Sequence, residues 1–235
     1  MTKYFAVIRG AIGRDALNIC SRYIDYEDIY NCDSPNSHFN SFCLRLLQLR
    51  SEGHNIFLLN LWGNKIFSKQ VINSLSSSLN LHPGLLPSQA GSHTISRALL
   101  EKSICGASIN QLSLELDKGN IYCQCCPVNA NQILSGHELR EYIAESLIDM
   151  LKTNAEWILN PKFAKLAYRG ENGVYVNTKK SFINSSRVKN IEDFVSAHEL
   201  FHWILAHDFS PDASVGKIVY TNRDGKKEII SFQRS

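Results

Sequence analysis

The segment Asn80-Leu81-His82-Pro83-Gly84-Leu85-Leu86-Pro87 sets an amide and an imidazole two residues apart. In an extended chain that spacing sends both side chains to one face. Pro83 ends the strand, and Pro83, Gly84 and Pro87 together force a rigid, irregular loop after it. An imidazole titrates near neutrality and can take a proton. An amide N–H can donate to an oxyanion as it develops. A polar pair on an otherwise apolar strand is costly when buried without partners, so the pair reads as functional. The plainer alternative is a strand-end histidine bonded to a loop carbonyl. About thirty residues on, Asp117 and Gly119 mark a turn between two extended stretches. A turn aspartate is common and carries little weight alone.

A second constellation competes with the first. His198-Glu199-Leu200-Phe201-His202 reads HExxH, two imidazoles one helical turn apart with a glutamate between them. That is the signature of a zinc metallopeptidase, in which the glutamate acts as general base. A third ligand must follow. One form of the site asks for a glycine and then a third histidine; the glycine is absent, Asp208 stands where the histidine would, and His207 comes one residue early. The other form needs a downstream glutamate on a helix, and Glu228 falls in an expected hairpin. Phe194, Ala197, Phe201, Ile204 and Leu205 recur at helical spacing and define a core face with His198 and His202 at its flank. Zinc chemistry is therefore the weaker reading. Cys123-Gln124-Cys125-Cys126 also invites a metal, but no second Cys/His pair stands at finger-like spacing. A half-buried strand carrying small apolar thiols explains it as well.

The elements that must position these residues follow from hydrophobic periodicity. Lys3–Gly10 and Asn55–Trp62 read as buried strands and Ser78–Pro83 as a short one. Gly10 and Gly13 loosen a turn before a helix over Arg14–Ile24. Asn31–Ser37 is loop chemistry. Helices are expected over Phe39–Gly53, Asn64–Leu75, His93–Lys102 and His137–Leu159. Gly106–Glu115 and Asn120–Val128 form a strand pair. Strands alternating with helices predict an α/β fold, doubly wound and Rossmann-like, with a mostly parallel sheet. Past a boundary near residue 160 the pattern changes. An extended stretch (173–182), a helix (191–209) and two strands around an Asp224-Gly225 turn predict a small C-terminal helix-plus-hairpin extension over residues 161–235, attached to an α/β domain over 1–160.

Composition narrows the class. The 25 basic and 22 acidic residues of this 235-residue chain give a formal charge of +3, too weak to imply nucleic acid. No apolar run approaches the ~20 residues of a membrane span, and the short apolar stretch before Arg9 leads us to expect no signal peptide. Seven cysteines without regular spacing suit a reducing cytoplasm rather than a disulfide framework.

The two strand-end stretches together resemble the N10-formyltetrahydrofolate-dependent formyltransferases. Their pattern is N-x-H-P-x-L-L-P and then, after a helix and a strand, D-x-G. Here these are Asn80 to Pro87 and Asp117-Lys118-Gly119. The segment "LWGNKIFSKQVINSL" is similar to the family's folate-binding loop and following helix. Two departures stand out: Ala90-Gly91 where the family has Arg-Gly, and Asn110 where it often has histidine.

The resemblance implies formyl transfer to a primary amine through Asn80, His82 and Asp117, with N10-formyltetrahydrofolate as the donor co-substrate and no metal. The pterin would lie against the backbone of Asn64, Lys65, Ile66 and Phe67 and touch the loop at Leu112, Glu115 and Leu116. The chain is short for a methionyl-tRNA enzyme, and its tail looks like the extension of the sugar-nucleotide N-formyltransferases. The acceptor expected is thus an amino sugar nucleotide, a dTDP-linked amino-dideoxy sugar used for surface glycans such as the lipopolysaccharide O-antigen. Another small amine, glycinamide ribonucleotide, is the alternative acceptor. The family, and the exposed edge of the hairpin, raise a homodimer paired through the hairpin strands. A non-catalytic homologue is disfavoured by the intact Asn80, His82 and Asp117.

Overall fold

The computed structural model describes residues 1–125, 128–129, 135–160, 188–190, 199–200, 203, 215–221 and 226–232. In chain order the elements are β1 (Thr2–Ile8), α1 (Gly10–Cys20), β2 (Tyr26–Asn31), α2 (Asn36–Ser51), β3 (Asn55–Leu61), α3 (Lys69–Ser74), β4 (Ser77–His82) and α4 (Thr94–Leu100). They continue with β5 (Ile104–Cys105), β6 (Ser108–Asn110), β7 (Ile121–Gln124), β8 (Val128–Asn129) and α5 (Gly136–Ile158). The last strands are β9 (Val188–Asn190), β10 (Val215–Thr221) and β11 (Lys227–Phe232).

The main sheet has the order β2-β1-β3-β4-β6-β7. The strands from β2 to β4 pair in parallel, while β6 and β7 run antiparallel at the far side. Strand alternation sorts its side chains between two cores. Ala6 and Ile8 of β1, Phe57, Leu59 and Leu61 of β3, and Leu79 and Leu81 of β4 join buried residues of α1, α4 and α5. Phe5 and Val7, with Ile56 and Leu58, face the other way and pack with α2 and α3. Helices on both faces make the fold doubly wound, as the alternation of elements predicts. α5 buries Leu139, Ile143, Leu147, Leu151 and Ala155 along one stripe, and Ser135 caps it by accepting from the Glu138 N–H at 3.1 Å.

The structure corrects the sequence reading in three places. Gly10 and Gly13 lie inside α1 rather than in a turn before it. A Cβ on Gly13 would stand 2.8 Å from the Leu61 carbonyl oxygen, so this glycine serves a close helix–strand approach. Residues 64–68 are not helical, and α3 starts at Lys69 with the Ser68 hydroxyl accepting from the Val71 N–H. β2 was not expected. It is an edge strand of mixed polarity, "YEDIYN", pinned by Glu27, which accepts from Lys3 at 2.8 Å and Arg45 at 2.7 Å. Those two hydrogen bonds hold the Glu27 carboxyl below its ordinary range.

Beyond residue 160, β10 and β11 pair antiparallel, with Thr221 opposite Lys227, and β9 adds in parallel to β10. The expected hairpin strands are thus present. The turn at Asp224-Gly225, the stretch 173–182, and most of the helix over 191–209, including His198 and His202, lie outside the described residues. Glu199, Leu200 and Trp203 are helical, and Trp203 is buried.

Candidate active site

On β4 the alternation that sends Leu79 and Leu81 into the α1-side core sends Ser78, Asn80 and His82 to the opposite face. All three are buried, His82 with only 3% of its surface exposed. Asn80 and His82 stand at the carboxyl end of the parallel strands, where open α/β sheets bind ligands.

Asp117 reaches them from the loop between β6 and β7. Its φ of 56° lies in the left-handed region, which aspartate tolerates better than most residues. One carboxylate oxygen, Oδ2, stands 3.5 Å from His82 Nδ1 and accepts from the Gly91 N–H at 2.8 Å. The other, Oδ1, faces Asn80 Nδ2 at 3.4 Å. Gly119 makes this placement geometrically possible, because a Cβ there would overlap the Gln111 carbonyl. The D-x-G spacing therefore has a steric cause: the loop must press its third residue against its own first turn.

The other ring nitrogen, His82 Nε2, lies 2.7 Å from the Gln89 carbonyl oxygen. A carbonyl can only accept, so Nε2 carries a proton in this arrangement. The strand-end histidine bonded to a loop carbonyl is thus also present, and it coexists with the contact to Asp117. A Cβ on Gly84 would stand 2.9 Å from Nε2, so the loop's glycine is what lets the ring sit there.

The loop after β4 is tied down by partners that sequence reasoning missed. Gln89 accepts from the Leu85 N–H at 2.7 Å and donates to the Ile104 carbonyl at 2.7 Å. Ser108 donates to the Gly84 carbonyl at 2.7 Å and accepts from the Leu86 N–H at 3.0 Å. Thr94 donates to the Pro83 carbonyl. Ser108 could have been found from register, since it lies opposite His82.

The residues expected around the pterin fall in two loops on the α2/α3 side of the sheet. Phe67 and Leu112 both pack against that side's core cluster. Among the described residues, no backbone group of Asn64, Lys65, Ile66 or Phe67 pairs with another backbone group. The Lys65 ammonium is drawn away from this edge, donating to Asn36 Oδ1 at 2.7 Å and lying 5.6 Å from the ring centroids of Tyr30 and Phe39. Ile66 stands 82% exposed, and Leu114 and Leu116 are exposed as well. Glu115 is turned to solvent and paired with Lys118 at 2.6 Å, which holds its carboxyl below the ordinary range. Unpaired main chain beside exposed apolar side chains suits a flat heteroaromatic ring with polar edges.

No group of three His, Cys, Asp or Glu side chains is placed to hold a metal among the described residues. Residues 36–146 match the family model described as formyl transferase. That segment is just under half of the chain, and over it the chain is similar to the formyl transferase family. The formyl transferase segment includes Asn80, His82 and Asp117. A methionyl-tRNA formyltransferase of Borrelia duttonii (strain Ly) is 29% identical over 201 residues, covering 72% of this chain. The chain spans 64% of that relative's length. A 4-N formyltransferase from Francisella tularensis has the same fold, with a TM-score of 0.75, 20% identity and coverage of 99% of this chain and 98% of that one. An N-formyltransferase from Helicobacter canadensis, solved with folinic acid and dTDP-3-aminofucose, superposes with a TM-score of 0.68 at 15% identity, over 94% of this chain and 89% of that one.

Proposed function

We propose that the chain transfers a formyl group from N10-formyltetrahydrofolate to the primary amine of an amino sugar nucleotide. The observation that carries this reading is the convergence of Asn80, His82 and Asp117 at the carboxyl edge of the sheet. The catalytic domain in this proposal is residues 1–160, with residues 161–235 as an appendage.

Attack of an amine on a formyl carbon develops a tetrahedral oxyanion and a surplus proton on nitrogen. Asn80 Nδ2 turns away from β3, with one hydrogen on Asn110 and the other toward Asp117, and the second supplies the donor for the oxyanion. His82 takes the amine proton at Nε2, a role that needs this nitrogen to leave the Gln89 carbonyl and the neutral ring to carry its own proton on Nδ1, against Asp117. The imidazolium so formed is held by the Asp117 carboxylate on its Nδ1 side. The folate lies on the exposed loop at Asn64, Lys65, Ile66 and Phe67 and against Leu112, Glu115 and Leu116. The Helicobacter relative, with folinic acid and an amino sugar nucleotide bound in one structure, supports this choice of donor and acceptor.

The test is incubation of the purified chain with N10-formyltetrahydrofolate and a panel of amino sugar nucleotides, glycinamide ribonucleotide and methionyl-tRNA, read by mass. A formyl adduct on a sugar nucleotide is the expected outcome. Transfer only to one of the other acceptors keeps the chemistry and replaces the substrate. Zinc analysis closes the remaining route: a stoichiometric ion lost in His202→Ala would replace this reading with hydrolysis at the HExxH segment.

A further inference from the structure

A row of three buried amides runs across the sheet into the site. Asn60 of β3 is in register with Asn80 of β4, and Asn80 with Asn110 of β6. All three are buried. An amide fits a site either way round, so its orientation must come from its partners. Here two fixed acceptors decide it. The Gln111 carbonyl accepts from Asn110 Nδ2 at 2.9 Å, which turns Asn110 Oδ1 toward Asn80. Asn80 must answer with its NH2, donating to Asn110 Oδ1 at 3.0 Å. The Asp117 carboxylate requires the same orientation, with Asn80 Nδ2 at 3.4 Å. Asn80 Oδ1 is left facing β3, where Asn60 Nδ2 donates to it at 2.7 Å.

Asn60 ends the row at its own expense. Its Oδ1 is buried with no hydrogen-bond partner, and a Cβ on Gly63 would overlap it. The preceding residues on the same face of β3 are Ile56 and Leu58. An aliphatic residue at 60 would continue that face and remove this orphaned acceptor, but it would leave Asn80 Oδ1 without its donor, so one buried acceptor stays unpaired either way. The one thing only a donor at this position supplies is the hydrogen bond to Asn80 Oδ1.

We infer that Asn60 is a positioning residue for formyl transfer, holding the Asn80 amide with its NH2 turned toward Asp117 and the reacting carbonyl. Of the two Asn80 hydrogens, one is spent on Asn110. The other, in the long contact to Asp117, is the one free to shift onto an oxyanion. The inference rests on the reading of Asn80 as the oxyanion donor.

The test compares wild type, Asn60→Leu, Asn80→Ala and the double variant in formyl transfer, with melting temperature and exchange of the Asn80 side-chain NH2 by NMR alongside. Asn60→Leu is expected to lower kcat by about 10–100-fold, with KM for both substrates within about twofold and no loss of melting temperature. On the Asn80→Ala background the same change should lower kcat by less than about twofold, because its route of action is gone. The Asn80 NH2 should exchange faster in Asn60→Leu than in wild type. A kcat for Asn60→Leu within about twofold of wild type, or a full further loss on the Asn80→Ala background, overturns the inference. Should Asn60→Leu fail to fold, the isosteric Asn60→Asp serves. An ionised carboxylate there cannot donate to Asn80 Oδ1 while a protonated one can, so kcat should gain a descending limb with rising pH that wild type lacks. A profile parallel to wild type counts against the role. Wild type that transfers formyl to no acceptor defeats the functional reading. Unchanged Asn80 NH2 exchange in Asn60→Leu defeats this inference alone.

Discussion

The two faces of β4 are built to opposite specifications. On the α1 side, Leu79 and Leu81 continue a hydrocarbon core that runs from Ala6 through Leu59 to Ile109 and on to Leu147 of α5. On the other side, the apolar cluster of α2 and α3 ends at β3, and the sheet continues as Asn80 and His82 on β4 with Asn110 and Ser108 opposite them on β6. These polar residues are as buried as the leucines behind them. The difference shows how one short strand can serve both ends: its odd-numbered residues anchor it in hydrocarbon, and its even-numbered residues are fixed by polar partners. A polar row of this kind is tolerable only because nearly every atom has a partner.

The contrast can be broken from either side. The largest effect is expected from His82→Ala, which should lower turnover by about 10²–10⁴-fold with little change in melting temperature. Leu59→Ala, on the hydrocarbon face, should do the reverse. It should cost about 2–5 kcal/mol in denaturant unfolding while leaving turnover per folded molecule close to wild type. Gly119→Ala tests the join between loop and strand. Its Cβ would overlap the Gln111 carbonyl and displace Asp117, so turnover should fall by about 10²-fold, a misplacement effect. The smallest effect concerns the thiols. Burial pushes the Cys105 thiol up to about 12, with the neighbouring Cys125 adding to the shift, and pushes Cys123 up to about 11. Raised values leave less thiolate at pH 8, so iodoacetamide should modify both in the native protein more than about tenfold slower than in the unfolded chain. Equal rates would mean these strands open readily.

Much of this arrangement was readable beforehand because period-2 alternation is local. Asn80 and His82 share a face for that reason alone, and the doubly wound fold follows from alternating strands and helices. What was not readable depends on contacts distant in sequence. Asn60 stood in plain view as a polar residue inside "NIFLLNLW", yet its meaning depends on the register that sets it beside Asn80. The Gly119 requirement comes from the Gln111 carbonyl eight residues earlier, across a turn whose path the sequence does not state. β2 was missed because an edge strand needs little apolar surface, and its polar residues find Lys3 and Arg45 only in the folded molecule. The false start of the helix after Gly63 came from apolar Ile66 and Phe67. One is exposed and the other packs on α2, which helical periodicity cannot separate.

The most direct measurement is kcat for formyl transfer by Asn80→Ala against wild type, with melting temperatures taken on the same preparations. The account predicts a loss of about 10²–10³-fold in kcat and an unchanged melting temperature. Wild-type turnover in the folded variant would contradict it, and would reduce the polar face of β4 to a structural one.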